Sequence, residues 1–425
     1  MHALRSLLTH ARHGWSRREF VGVGLAGMVV GLVGNATTSA AATLKARMYA
    51  DSIYQRLLGV IPHLPGHGHT TVFGGSRMPA EVTRAIADAN EYFVDMHELF
   101  AAAGRRIAEV TGAEAGLVTS GSFSSLLLGA AGCLTGTDQT RMEALPQVTW
   151  ERRECLTQTA HRVDYDRAYR SAGMTIVAVE TREQLRNAIG PKTAMLHCLA
   201  SMERKPGRTD REMLPAEFVE IGRRAGVPVF VDSASELPPA KNLTRFVEMG
   251  ADLVAISGGK GIRGPQGTGM LVGRRDLIEA ARLNAFPHSH IGRGMKVGKE
   301  TVIGLIVALN RFVELDHEAM DAVWTRTTKY VAEQLQGVPG LTAEYVQALD
   351  TPLGYDSVRL TWDPQVIPLT LEEAQQRLQA GEPRVIFRSQ YFITRNLDDG
   401  EEVVVAKRLR TFFMEEAHRR PAPVG

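Results

Sequence analysis

From residue 81 onward the chain alternates two spacings of apolar positions. Residues 81–110 place Val82, Ile86, Ala89, Phe93 and Met96 three and four apart, the period of one helix face. Short apolar runs follow at 116–119, 174–179, 194–199, 227–231, 253–256 and 270–272. Most are β-branched and bounded by Gly, Pro or Asp, as strands buried on both faces are. Segments 165–172, 182–189, 215–225 and 243–249, which lie between them, read as helices. This alternation predicts an α/β fold, a mostly parallel central sheet with flanking helices. Residues 299–315 then form one amphipathic helix through Val302, Ile303, Ile306, Leu309 and Val313. It leads into a smaller C-terminal α+β domain, and residues 419–425 read as a frayed tail.

The first 42 residues differ in kind. Arg5, Arg12, Arg17 and Arg18 precede an uncharged run, 21–34, and a small-residue stretch, 35–42. That is the charged, apolar and cleavable order of a secretory signal. The apolar run falls short of the ~20 residues that span a bilayer, so no stable membrane insertion is expected after cleavage. Ser16-Arg17-Arg18-Glu19-Phe20-Val21 resembles the twin-arginine export motif. The resemblance implies export of an already folded protein to the periplasm or the outside, a route open to an enzyme that loads its cofactor in the cytosol. The expected organisation is thus a signal (1–42), an N-terminal arm (43–80), a large domain (81–298), and a connecting helix with a small domain (299–425).

Composition narrows the function. A net charge of +2 over 425 residues leaves no basic footprint for nucleic acid. Cys133, Cys155 and Cys198 are an odd number without CxxC or His-paired spacing, which argues against zinc and against a disulfide framework.

Three features carry candidate chemistry. Val118-Thr119-Ser120-Gly121-Ser122 is a strand end entering a helix, where backbone N–H groups and serine hydroxyls can hold a phosphate. Pro228-Val-Phe-Val231-Asp232 puts a carboxylate at the end of an apolar strand, where open α/β sheets bind ligands. Taken alone, Asp232 equally fits a helix N-cap or a metal ligand. The third, residues 252–267, runs from a buried strand through Ser257 into a glycine-rich loop that contains Lys260. A lysine so placed is desolvated, which lowers its pKa and makes the amine nucleophilic.

Ser257-Gly-Gly-Lys260-Gly-Ile-Arg-Gly-Pro-Gln-Gly-Thr-Gly269 resembles the Schiff-base loop of fold type I enzymes dependent on pyridoxal 5′-phosphate (PLP). The nearest branch is that of L-seryl-tRNA(Sec) selenium transferase and D-glucosaminate-6-phosphate ammonia-lyase. Segments 74–79, 93–96, 111–115, 231–239 and 292–300 match it too, so the likeness covers about residues 50–415. It implies that Lys260 carries PLP as a Schiff base and moves protons at the substrate α-carbon. It gives Asp232 the pyridine nitrogen and Ser120, Gly121, Ser122 and Ser257 the phosphate. It places His161 against the ring or the substrate. A small-domain arginine is implied for the substrate carboxylate. Arg359, Arg384, Arg388 and Arg395 are the candidates, Arg388 the expected one, with Arg293 as a further possibility. The chain departs from the family at Phe123, where small residues are usual, and at 150–159.

The implied activity is that of a PLP-dependent lyase working on an amino acid or amino-sugar acid, in a homodimer or larger homo-oligomer. Selenium transfer is the alternative, although a signal here occupies the place of a tRNA-binding segment. A non-catalytic PLP-binding relative is the third reading.

Overall fold

The computed structural model describes residues 49, 51–351 and 354–419; the expected export signal lies outside them. A seven-stranded sheet forms the centre, from β1 (Ala115–Thr119), β2 (Glu154–Gln158), β3 (Thr175–Val179), β4 (Thr193–Leu199), β5 (Val229–Asp232), β6 (Leu253–Ser257) and β7 (Gly269–Gly273). Their order is β1-β7-β6-β5-β4-β2-β3. The pairings are parallel except the two made by β7. β4, β6 and β7 are buried along their whole length, as their unbroken apolar runs require.

The flanking helices include α1 (Ala80–Asn90), α2 (Met96–Thr111), α3 (Ser122–Thr135) and α4 (Pro215–Ala225). The expected single helix over 81–110 is two helices. Asp95 accepts a hydrogen bond from the Glu98 N–H, capping a new helix start that a period of 3.6 does not register. Phe93, assigned to the apolar face, therefore falls in the break and is fully exposed. β2 was also missed, because its run Glu-Cys-Leu-Thr-Gln is short and polar at both ends.

Beyond α5 (Lys299–Glu314) the chain forms α6 (His317–Gln334) and an antiparallel sheet of β8 (Leu341–Val346), β9 (Ser357–Trp362) and β10 (Tyr391–Phe392), in the order β10-β9-β8. α7 (Glu401–His418) packs against α6. Two apolar cores result. One surrounds the central sheet, and the other joins α6, α7 and the small sheet with Leu64 of the arm. Leu64–Pro65 pairs in parallel with Val385–Ile386, which fastens the arm to the small domain.

Candidate active site

Register brings the three sequence features together. Thr119 pairs with Gly269, and Gly269 with Ser257, while Asp232 pairs with Ala255. The C-terminal ends of β1, β5 and β6 thus open on one edge of the sheet, the edge at which open α/β folds bind ligands. The 120–122 turn, Asp232 and the Lys260 loop meet there.

The loop after β6 is held by close backbone contacts. A Cβ on Gly261 would stand 2.2 Å from the Leu237 carbonyl oxygen, so only glycine lets the loop pass here. Burial pushes the Lys260 ammonium below its usual range, and Asp232 and Glu236 only partly restore it. Burial also raises the Asp232 carboxyl. The Ala234 N–H, at 3.0 Å, and the positive charge of Lys260 oppose that rise. Burial thus shifts an amine and a carboxylate in opposite directions at one strand edge, as functional sites tend to arrange.

The turn before α3 has the shape of an anion cradle. Gly121 sits at φ +90°, a region that favours glycine, and its turn leads directly into the 14-residue helix α3. Ser122 Oγ is buried without a protein partner, whereas Ser120 Oγ is shared with Ser124 at 2.8 Å. Ser257 is buried at the end of β6. These groups fit PLP: a helix N-terminus with a spare hydroxyl for its phosphate, a buried carboxylate for its pyridine nitrogen and a desolvated amine for its aldehyde.

His161 lies at the same sheet edge, bonded to Leu199 beside Asp232, and the expected arginines lie at other positions. His161 is fully buried, with Nε2 2.9 Å from the Met213 carbonyl and Nδ1 accepting the Leu199 N–H at 2.9 Å. Burial lowers its pKa to about 4. Both nitrogens are held by backbone, so the ring locks the ends of β2 and β4 and has no free nitrogen for a proton transfer. Arg388 is exposed, because the paired strand ends at Ile386 and its alternation does not reach residue 388. Arg293 is exposed as well, its guanidinium 5.3 Å from the Phe286 ring centroid. Arg359 pairs with Glu344, and Arg384 donates to the Ile61 carbonyl at 3.2 Å.

Arg395 is the inward arginine. Its guanidinium lies between Trp324 and Tyr355, 4.0 and 4.3 Å from their ring centroids, with Nε and Nη1 buried and unpartnered. Tyr355 Oη reaches the Ser235 carbonyl at 3.5 Å, so this arginine cluster closes onto the sheet edge beside Asp232. Sequence reasoning missed Tyr355, and it named the arm without giving it a role at the site. Ser76 Oγ donates to the Gly259 carbonyl at 3.0 Å, and Gln266 Nε2 to that of Thr71 at 2.7 Å, laying the arm across the Lys260 loop. That brings His69, 9% exposed, into the electrostatic field of Lys260 and Arg395. Three histidines in seven residues, His63 to His69, were the available signal.

Known proteins are similar to this chain in sequence and fold. The aminotransferase class-V family model matches residues 174–353. The 5′-C-glycyluridine monooxygenase-decarboxylase of a Streptomyces species is 32% identical over 391 residues, 88% of this chain and 94% of its own. D-glucosaminate-6-phosphate ammonia lyase of Salmonella typhimurium is 28% identical over 84% of this chain and 97% of its own. The solved structure of a D-glucosaminate-6-phosphate ammonia-lyase, also 28% identical, superposes with a TM-score of 0.74 over 86% of this chain and 99% of that one. L-seryl-tRNA(Sec) selenium transferase of Moorella thermoacetica is 26% identical over 58% of this chain and 51% of its own. With these relatives, the chain belongs to the fold type I family of PLP-dependent enzymes.

Proposed function

We propose that the enzyme breaks a bond at the α-carbon of an amino acid or amino-sugar acid, with elimination as its reaction. The meeting of Lys260, Asp232 and the 120–122 turn at one sheet edge carries this reading. When bound, PLP supplies an aldehyde for the lysine and a protonated ring that draws electrons from the substrate. Burial favours the uncharged form of Lys260 Nζ, which would take the proton from the α-carbon as the β-substituent leaves with the electron pair of its bond. Asp232 keeps the proton on the ring nitrogen. Ser120, Gly121, Ser122 and Ser257 orient the phosphate at the start of α3. Arg395, which has unpartnered donors at Nε and Nη1, would receive the substrate carboxylate, and Trp324 and Tyr355 would exclude water from that contact.

The product mixture from a panel of D- and L-amino acids and amino-sugar acids tests this. For a substrate with a β-leaving group such as a hydroxyl, loss of the α-proton and that group gives an enamine, which water hydrolyses. Ammonia with a 2-oxo acid is the expected outcome, and racemised substrate without ammonia would contradict it. The relative named a monooxygenase-decarboxylase supports a second reading, loss of the carboxylate, which carbon dioxide release distinguishes. Selenium transfer is less well supported, because the match spans about half the length of that transferase.

Export and assembly extend the proposal. Residues 1–42 are read as a twin-arginine signal, so replacing Arg17 and Arg18 by Lys should strand the protein in the cytoplasm. Uncleaved wild type found in the cytoplasm would refute that reading. Exposed Tyr92, Phe93 and Val94 support a homodimer.

A further inference from the structure

His69 stands on the arm with its Nδ1 buried and without a protein partner. The ring meets Tyr355 edge-on, centroids 5.8 Å apart, and Arg395 lies over the same tyrosine. Asn396, like Arg395, faces it from the small domain, and Lys260 and Arg263 face it from the glycine-rich loop. Burial, with the three cations around it, holds His69 well below the usual imidazole range, so the ring is neutral. A neutral imidazole has one N–H and one lone pair.

Asn396 decides which nitrogen keeps the lone pair. Its amide nitrogen donates to the Gly68 and Gly75 carbonyls, at 2.7 and 3.2 Å. Both amide hydrogens are therefore used, so only the amide oxygen of Asn396 is left to face the His69 ring. A ring N–H directed at that oxygen leaves the lone pair on Nδ1, which has no protein partner. A buried acceptor without a donor is costly, and a ligand that donates to it removes the cost.

We propose that His69 is a specificity-determining residue whose Nδ1 accepts a hydrogen bond from a substrate hydroxyl, near the carboxylate that Arg395 receives. A second ammonium group is a poor donor here, since Arg263 and Arg395 repel it. The substrate's own α-amine is committed to the cofactor. A neutral hydroxyl on the amino-acid side chain remains. This inference rests on the proposed PLP chemistry and narrows its substrates to hydroxylated amino acids.

Absorbance titration of the PLP-loaded enzyme gives dissociation constants for matched ligands: serine against alanine, and homoserine against 2-aminobutyrate, in both configurations. At least one hydroxylated ligand should bind about tenfold tighter than its deoxy partner, the worth of one hydrogen bond. Its O-methyl ether, which keeps the oxygen and loses the donor, should bind no tighter than the deoxy compound. His69→Gln retains an acceptor and should keep part of the preference, whereas His69→Phe should abolish it. Equal binding of both members in each pair, or a preference unchanged in His69→Phe, overturns the proposal. Should His69→Phe fail to fold, the O-methyl comparison in wild type decides alone. If no amino acid perturbs the cofactor spectrum, the proposed chemistry fails as well, an outcome distinct from binding without hydroxyl preference.

Discussion

Arg388 and Arg395 occupy neighbouring stretches of the small domain, yet only the second is turned inward. The apolar run Val385-Ile386-Phe387 suggested that the next residue would be aimed at the site. Only two residues of that run form a strand, and the chain then turns Arg388 to the surface. Arg395 was among the candidates, but nothing local to it announces burial. Its two aromatic neighbours come from α6 and from the segment before β9, contacts that no local pattern encodes. Arg395→Lys keeps the charge but loses the planar fork, so KM for an identified substrate should rise about tenfold to a hundredfold. Arg388→Lys should leave KM within about twofold. Steady-state kinetics of the two variants checks this, and the reverse ranking would remove Arg395 from substrate binding. His161 teaches the complementary lesson. Its place in the motif was legible, but its hydrogen bonds to Met213 and Leu199 depend on how the ends of β2 and β4 meet the loop before α4.

The elements most exposed to error in a sequence reading were those whose ends are set by side chains. The Asp95 cap divided one expected helix into two, and β2 lay in a stretch with no clear alternation. The arm shows the reverse case, a visible motif whose role was not visible. Within segment 74–79, Arg77 forks Glu401 at the start of α7, with N–O distances of 2.7 and 2.5 Å, and Tyr49 Oη donates to the same carboxylate at 2.8 Å. Burial raises the Glu401 carboxyl. The bonds and charge of Arg77, the Asp398 N–H and Tyr49 outweigh it, and the net shift is downward. A carboxyl whose folded pKa is depressed stabilises the protein above the unfolded value, near ~4.3, and that contribution is lost as pH falls through the folded value. Arg77→Ala should therefore cost about 2 kcal/mol at neutral pH, a value reduced by the 41% exposure of the Arg77 side chain. The difference between variant and wild type should shrink below pH 4. Denaturant melts at a series of pH values measure it, and a pH-independent difference would contradict the ion-pair account.

At the scale of the whole molecule, the sheet and the site edge were the legible part. Strand ends carrying Ser122, Asp232 and Lys260 are short-range features, and register alone brings them together. The arm across the loop and the closure of Tyr355 onto Ser235 join residues more than a hundred positions apart, so the sequence offered no pattern for either. The exposed Tyr92, Phe93 and Val94 also belong to this scale. They should be covered by a second copy of the chain, and sedimentation should give a dimer that Phe93→Glu weakens. A wild type that stays monomeric at micromolar concentration would leave that patch unexplained.

The central claim is that Lys260 is the residue to which PLP is joined. Borohydride reduction of the purified enzyme followed by peptide mapping addresses it directly. A cofactor-sized mass fixed on the peptide containing Lys260, absent from a folded Lys260→Ala variant, is the predicted result. A label on another lysine, or none on a protein that binds PLP, would contradict the account.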